Sequence, residues 1–313
     1  MCIRDRKNWT ETEPMTDNTP RRSRTGVWAM ATLTSIVLGV LLALAGSQGS
    51  ADVGGFPVFA LAVALAYAIN WIVFVPSFVR HTERFFDLTG SVTYVSITVV
   101  ALIASPDPDI RAWLAALMVV VWAGRLGSFL FRRISRDGSD GRFDVIKQDF
   151  WQFLMTWTLQ GLWVSLTAAA ALVIITAEDR EHFGVAGLVG LAVWVVGFTV
   201  EVVADTQKSR FRAEPANAGR YITTGLWAWS RHPNYFGEIV LWSGMAIMSI
   251  PVLTGWRWVA LVSPVFVFVL LTRISGIPLQ RRRAEKRWGS EPEFRAYMDS
   301  TPALVPRPPR RAT

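Results

Sequence analysis

The chain has 313 residues, 51% of them hydrophobic and 15 of them tryptophan, a composition of integral membrane proteins that excludes an ordinary soluble domain. Its single cysteine, Cys2, excludes a disulfide framework or a thiolate cluster, and His81, His182 and His232 stand too far apart for zinc-ligand spacing, so no metal is implied. The net charge of +8 invites a nucleic-acid partner, but the placement of the basic residues argues against one.

Met1 to Gly26 is polar, holds Pro14 and Pro20, and is expected to be a disordered cytoplasmic N-terminus, with Met15 an alternative start to Met1. Val27 to Gly46 is apolar and long enough to cross a bilayer. Arg21, Arg22 and Arg24 before it and Ala43-Leu44-Ala45 at its end also fit a secretory signal, although the run exceeds the roughly 7–15 apolar residues usual there. Apolar runs continue at Phe56 to Val79, Leu88 to Ala104, Ile110 to Phe131, Phe153 to Thr176, Phe183 to Ala204, Asn234 to Ile250 and Trp256 to Ile274. Lipid offers the backbone no hydrogen-bond partner, so each run must be helical. The expected fold is an all-α integral membrane bundle of about eight transmembrane helices over residues 27–275, followed by a cytoplasmic tail at 276–313.

Basic residues collect in alternate connections: the N-terminus, the Arg80 and Arg84 loop, Arg132 to Lys147, Lys208 to Arg231, and the tail. The intervening connections carry only Arg111, Arg180 and Arg257. The positive-inside rule places the basic side and both termini in the cytoplasm. Most of the positive charge is therefore a topology signal, and no basic stretch has the aromatic interleaving of a strand-binding groove.

Arg125, between Gly124 and Gly127, is the one Lys or Arg well inside an apolar run. Such an arginine points to function unless it snorkels to a helix end. Glu201 and Asp205 are four apart, hence on one helix face, and Lys208, Arg210 and Arg212 follow. They read either as local ion pairs at a helix end or as carboxylates for ribose or amide groups beside arginines for phosphates. Gly184, Gly187 and Gly190 form a packing pattern inside an apolar run, and no dinucleotide fingerprint follows a strand. Pro233 suits the first position of a helix whose open N-terminus, beside Arg231, would attract a phosphate. Asn234 and Glu238 share a face in its first two turns, continued by Leu241 and Trp242. The alternative is a cap with one structural hydrogen bond.

Arg231-His232-Pro233-Asn234-Tyr235-Phe236-Gly237-Glu238, preceded by Gly225-Leu226-Trp227 and followed by Trp242-Ser243-Gly244, resembles the C-terminal domain of steroid 5α-reductases, closest to an uncharacterised bacterial branch. The segment from Glu201 through Asp205, Gln207 and Lys208 to Phe211 and Arg212 supports the resemblance, as do Gly276, Pro278, Arg287-Trp288-Gly289, Tyr297, Thr301 and Pro306. It runs from about Asp87 to Pro306. The Arg-His-Pro core alone is shared with isoprenylcysteine and phospholipid methyltransferases and with sterol double-bond reductases.

The resemblance implies NADPH held from the cytosolic side of a bacterial inner membrane and a lipophilic substrate arriving from the bilayer. At the matching positions Asp205, Arg212, Tyr221, Asn234 and Glu238 would line the cofactor, with Lys208, Arg231 and His232 beside them. Arg125, with Arg132 or Arg133, would come from the opposite half of the bundle. The number of arginines suits the extra phosphate of NADPH. The implied reaction is hydride transfer to the β-carbon of an enone whose carbonyl is polarised. The steroid enzymes use a Glu and a Tyr hydroxyl on the ketone; here Trp122 stands at the Tyr position, Asp87 near that of the Glu, and Tyr235 is a further catalytic candidate. Gln280 or Arg281 replaces a His of the family's tail. Two other readings stay open: an S-adenosylmethionine-dependent membrane methyltransferase, and a transporter or structural bundle.

Overall fold

The computed structural model describes residues 21–137, 143–179 and 182–309, the side chains of 21–24 and 130–137 excepted. The first 20 residues, most of the segment expected to be disordered, lie outside the described residues, as do Arg180 and the side chains of Arg132 and Arg133. Eight helical segments among the described residues are long and apolar enough to cross a membrane, as composition required.

Helix α1 (Arg21–Gly46) begins six residues inside the segment expected to be disordered. Once Val27 onward is helical, propagation is easy, and arginine is a good helix former. A hairpin of β1 (Asp52–Val53) and β2 (Phe56–Pro57) follows, turning through Gly54 and Gly55 at φ 61° and 86°. Positive φ at both positions is what a type I′ turn needs. The chain then runs through α2 (Val58–Val79), α3 (Phe86–Ala104), α4 (Ile110–Asp137), α5 (Phe150–Ile175), α6 (Gly184–Ala213) and α7 (Pro233–Ser249). The last span is irregular: 3-10 turns at Gly255–Leu261 lead into α8 (Val262–Val269), which ends in a π-helical turn at Leu270–Ile274. Two polar helices, α9 (Ile277–Trp288) and α10 (Pro292–Ser300), close the chain.

Helix α5 is the axis of the bundle, with every side chain from Ala168 to Ile175 at most 1% exposed. Its four successive alanines let neighbouring backbones approach. By contrast α1 turns Val27, Met30, Leu33, Val37, Leu41 and Leu44 outward, an apolar face suited to lipid. Arg111 and Arg257 are buried: Arg111 donates to the His182 carbonyl, and Arg257 Nη2 to the Val173 carbonyl at 2.8 Å, capping the end of α5. Two of the three arginines on the sparsely charged side are thus structural.

The closest backbone approach that matters for the site joins α6 and α7. A methyl at Gly197 would lie 2.4 Å from the Leu241 amide nitrogen, and one at Gly237 would lie 2.6 Å from that of Glu201. Only glycine fits there, and the resulting contact brings the Glu201 and Asp205 face of α6 against the Asn234 and Glu238 face of α7.

Candidate functional site

Glu201, Asp205, Lys208 and Arg212 fall at successive turns along one face of α6, two carboxylates inside and two cations toward its end. Arg125 crosses from α4 to the carboxylates. Its Nη1 reaches Glu201 Oε1 at 2.5 Å and its Nη2 pairs with Asp205 Oδ2. Trp122, one turn away on α4, donates its indole N–H to Glu201 Oε2 at 3.2 Å. Asn234 Nδ2 donates to Asp205 Oδ1 at 3.2 Å, tying α7 into the same network. Glu238 is half-buried, has Glu201, Asp205 and Arg125 as electrostatic neighbours, and makes no hydrogen bond or ion pair among the described residues.

Deeper still lies an aromatic group. Trp122 stands edge-on to Tyr94 of α3 and to Trp242 of α7, with ring centroids 5.1 Å apart in both pairs. The Trp242 indole N–H is buried without a partner.

Further along α6, around Lys208, Phe211 and Arg212, lies a cavity of about 400 Å³, within the range of small-molecule sites. Lys208, Arg212, Arg220, Arg231, Arg281 and Arg287 line it, and no carboxylate does among the described residues. The tail holds its floor in place. The Arg231 amide donates to the Pro302 carbonyl at 2.9 Å, Ser230 Oγ to that of Leu304 at 2.7 Å, and Tyr297 Oη to that of Trp227 at 2.7 Å. Tyr221 packs its ring against Trp288, Phe294 and Tyr297, while Lys208 Nζ sits 4.5 Å over the Trp227 ring. Arg231 Nε is buried with no partner, and burial holds that guanidinium below the usual arginine value. Burial, then the charges of Lys208 and Arg231, push the His232 imidazole down to about 3, so it is neutral at physiological pH. It stacks on Tyr235 with centroids 5.4 Å apart.

The structure therefore gathers Arg125, Trp122, Asp205, Asn234 and Glu238 in one polar cluster, and Lys208, Arg212, Tyr221, Arg231 and His232 around the cavity above it. Asp87 sits in the first turn of α3, outside the described contacts of this cluster. Sequence reading assigned no role to Arg220, Arg287, Tyr94 or Trp242. A signal did exist for α9: Gln280, Arg281, Ala284 and Arg287 are spaced to share a helix face, and that face lines the cavity.

These features define a multi-span helical membrane protein with a cation-lined chamber and, further along α6, a cluster of largely buried carboxylates. The chain belongs to a family described as "protein of unknown function (DUF1295)", whose model matches residues 73–301. It is similar to an uncharacterised protein of Schizosaccharomyces pombe, with 24% identity over 63% of this chain and 64% of the relative. It is also similar to a protein named steroid 5-alpha-reductase from Gossypium hirsutum, with 30% identity over 56% of this chain and 61% of the relative. A shorter likeness, 35% identity over 19% of this chain and 21% of the relative, is to a probable O-methyltransferase of Ustilaginoidea virens. The chain spans less than two-thirds of the length of these relatives. No solved structure matches it.

Proposed function

We propose that the protein is an NADPH-dependent reductase of a carbon–carbon double bond in a lipid dissolved in the membrane. The observation that carries this reading is a chamber lined by six cations, two of which, Lys208 and Arg212, continue the α6 face whose carboxylates neighbour Glu238, a carboxylate with no hydrogen bond or ion pair among the described residues. A dinucleotide phosphate needs both: several cations for its phosphates and, at its uncharged end, an acceptor for a carboxamide N–H. The residues present fit it, since Arg231 keeps a buried N–H free of partners and Tyr221 offers an aromatic face.

In this reading Lys208, Arg212, Arg231, Arg281 and Arg287 hold the phosphates, and Asn234 and Glu238 orient the nicotinamide amide. Arg125 pairs with both Glu201 and Asp205, offsetting one of their two charges, and so makes the carboxylate face of α6 less costly in a dry site. When bound, NADPH supplies a hydride. The chamber lies on the side of the basic loops and so faces the cytoplasm. The relative named as a steroid 5-alpha-reductase favours a conjugated, ring-bearing lipid as substrate.

The likeness to an O-methyltransferase keeps S-adenosylmethionine as a second reading. That ligand is itself a cation at sulfur, and six lining cations disfavour it. The test is the thermal midpoint of the detergent-purified chain, which any ligand preferring the native state must raise. NADPH is expected to raise it and NADH to do so less; a rise with S-adenosylmethionine alone would overturn the reductase reading.

A further inference from the structure

Helix α9 has two faces, and only one of them belongs to the chamber. Successive residues turn by about 100°, so Gln280, Arg281, Ala284, Arg287 and Trp288 fall on one side, the side that lines the cavity. Leu279, Arg282, Arg283 and Lys286 fall on the opposite side, and all four are exposed. This outer face carries three cations and no carboxylate. Glu285, the one acid of α9, is taken by Arg281, whose Nε reaches its Oε1 at 2.7 Å. Arg282, Arg283 and Lys286 make no ion pair among the described residues. None of the four residues lines the chamber, so the face is unexplained by whatever the chamber binds.

We propose that the outer face of α9 is a binding surface for anionic phospholipids of the adjacent leaflet. Only Ser275 and Gly276 separate α9 from the π-helical turn that ends the last span, so the helix starts where the apolar bundle gives way to lipid headgroups. That turn finishes on Arg273 and on Ile274, which is 55% exposed. Leu279, 37% exposed, stands among the cations of the outer face. An apolar side chain among long basic ones suits a helix at an interface: the apolar group meets acyl chains while the charged heads reach phosphates. The planar forks of Arg282 and Arg283 match a phosphodiester, and Lys286 adds a point charge. A zwitterionic headgroup carries its own ammonium and offsets this attraction, whereas an acidic one does not. Each cation held near an acidic leaflet strengthens attachment roughly fivefold. The leaflet is already at hand, so it fills the face without the entropy cost of capturing a separate acidic protein. With its outer face held by headgroups, α9 keeps Arg281 and Arg287 turned to the chamber.

The experiment uses the full chain in detergent micelles doped with phosphatidylglycerol, or with phosphatidylcholine of the same chain length, and reads the thermal midpoint as the lipid is titrated. Phosphatidylglycerol is expected to raise the midpoint, and phosphatidylcholine and inorganic phosphate to leave it unmoved. The double variant Arg282→Gln, Arg283→Gln should bind phosphatidylglycerol roughly 25-fold more weakly. A second double variant, Arg80→Gln, Arg84→Gln, removes the same charge from another exposed basic connection and should keep the full response. Equal losses in the two double variants would overturn the proposal, because the attraction would then belong to the net charge and not to α9. So would a phosphatidylcholine response equal to that of phosphatidylglycerol, or an inorganic phosphate response that reproduces it. Absence of any phosphatidylglycerol response would also overturn it and leave the face to an acidic protein. Glutamine is nearly as good a helix former as arginine, so α9 should persist in the variant. If the α9 double variant does not fold, Lys286→Gln decides by the same titration, with a roughly fivefold loss expected and no loss overturning the proposal.

Discussion

Arg125 of α4 and Glu201 of α6 are joined at 2.5 Å across the bundle, and the second arm of the same guanidinium holds Asp205. With side-chain exposures of 20% for Arg125 and 4% for Glu201, this is a largely buried ion triad, whose integrity matters more than its net worth. Arg125→Ala leaves two carboxylates facing each other in a low-dielectric site and is expected to cost about 3–5 kcal/mol. Glu201→Gln keeps an acceptor for Trp122 and leaves Asp205 as the counter-ion, so it should cost clearly less. Thermal unfolding in detergent ranks the two; equal midpoints would mean that the triad does not hold α4 to α6.

Gly237→Ala tests the other contact that assembles the site. The added methyl would press on the Glu201 backbone at 2.6 Å, and backbone cannot rotate away. Overpacking of this kind costs about 1–3 kcal/mol and would push α6 from α7, separating Asp205 from Asn234. Both a lower midpoint and a weaker NADPH response are expected. An unchanged response would show that the helix pair is not what positions the cluster.

Much of this architecture was readable in the chain because lipid forces every apolar run into a helix, and because spacing of four puts Glu201 with Asp205, and Asn234 with Glu238, on shared faces. What escaped is tertiary or too short. The hairpin at Gly54 and Gly55 has strands of two residues, too few for any period to show, so Phe56 read as the start of a span. Arg281 and Arg287 look like topology charges until α9 folds under the Arg231 loop. Trp122 could be matched to a position, but only the neighbouring helix reveals that Glu201 occupies its N–H. A lone Tyr94 among threonines and valines carries no local signal at all.

On the cofactor reading, Arg212→Ala and Arg281→Ala each remove one cation from the chamber. A hydrogen bond to a charged group is worth about 1.5–3 kcal/mol, so NADPH should bind roughly ten- to a hundredfold more weakly to each, with the unliganded midpoint little changed. Raising salt should weaken NADPH binding to the unaltered chain more than to either variant. Glu238→Gln keeps an acceptor oxygen but loses the charge, so it should weaken the NADPH response while leaving the chain folded, since this carboxylate has no partner to lose among the described residues. Titration of the midpoint against NADPH checks all three; full affinity in every variant would empty the chamber of its assigned role.

His232 gives the chain a pH dependence of predictable sign. Its imidazole has been pushed from 6.5 to about 3, first by burial and then by the charges of Lys208 and Arg231. Between these values the unfolded chain binds a proton at this position and the folded chain does not, so acid favours unfolding. The stability contributed by the neutral ring is complete above pH 6.5 and declines as pH falls toward 3. His232→Gln removes the titrating group while keeping a polar side chain, and its midpoint should fall less steeply than that of the unaltered chain across the same window. Parallel slopes in the two proteins would mean that the ring accepts its proton in the folded state, and that the neighbouring cations do not set its charge.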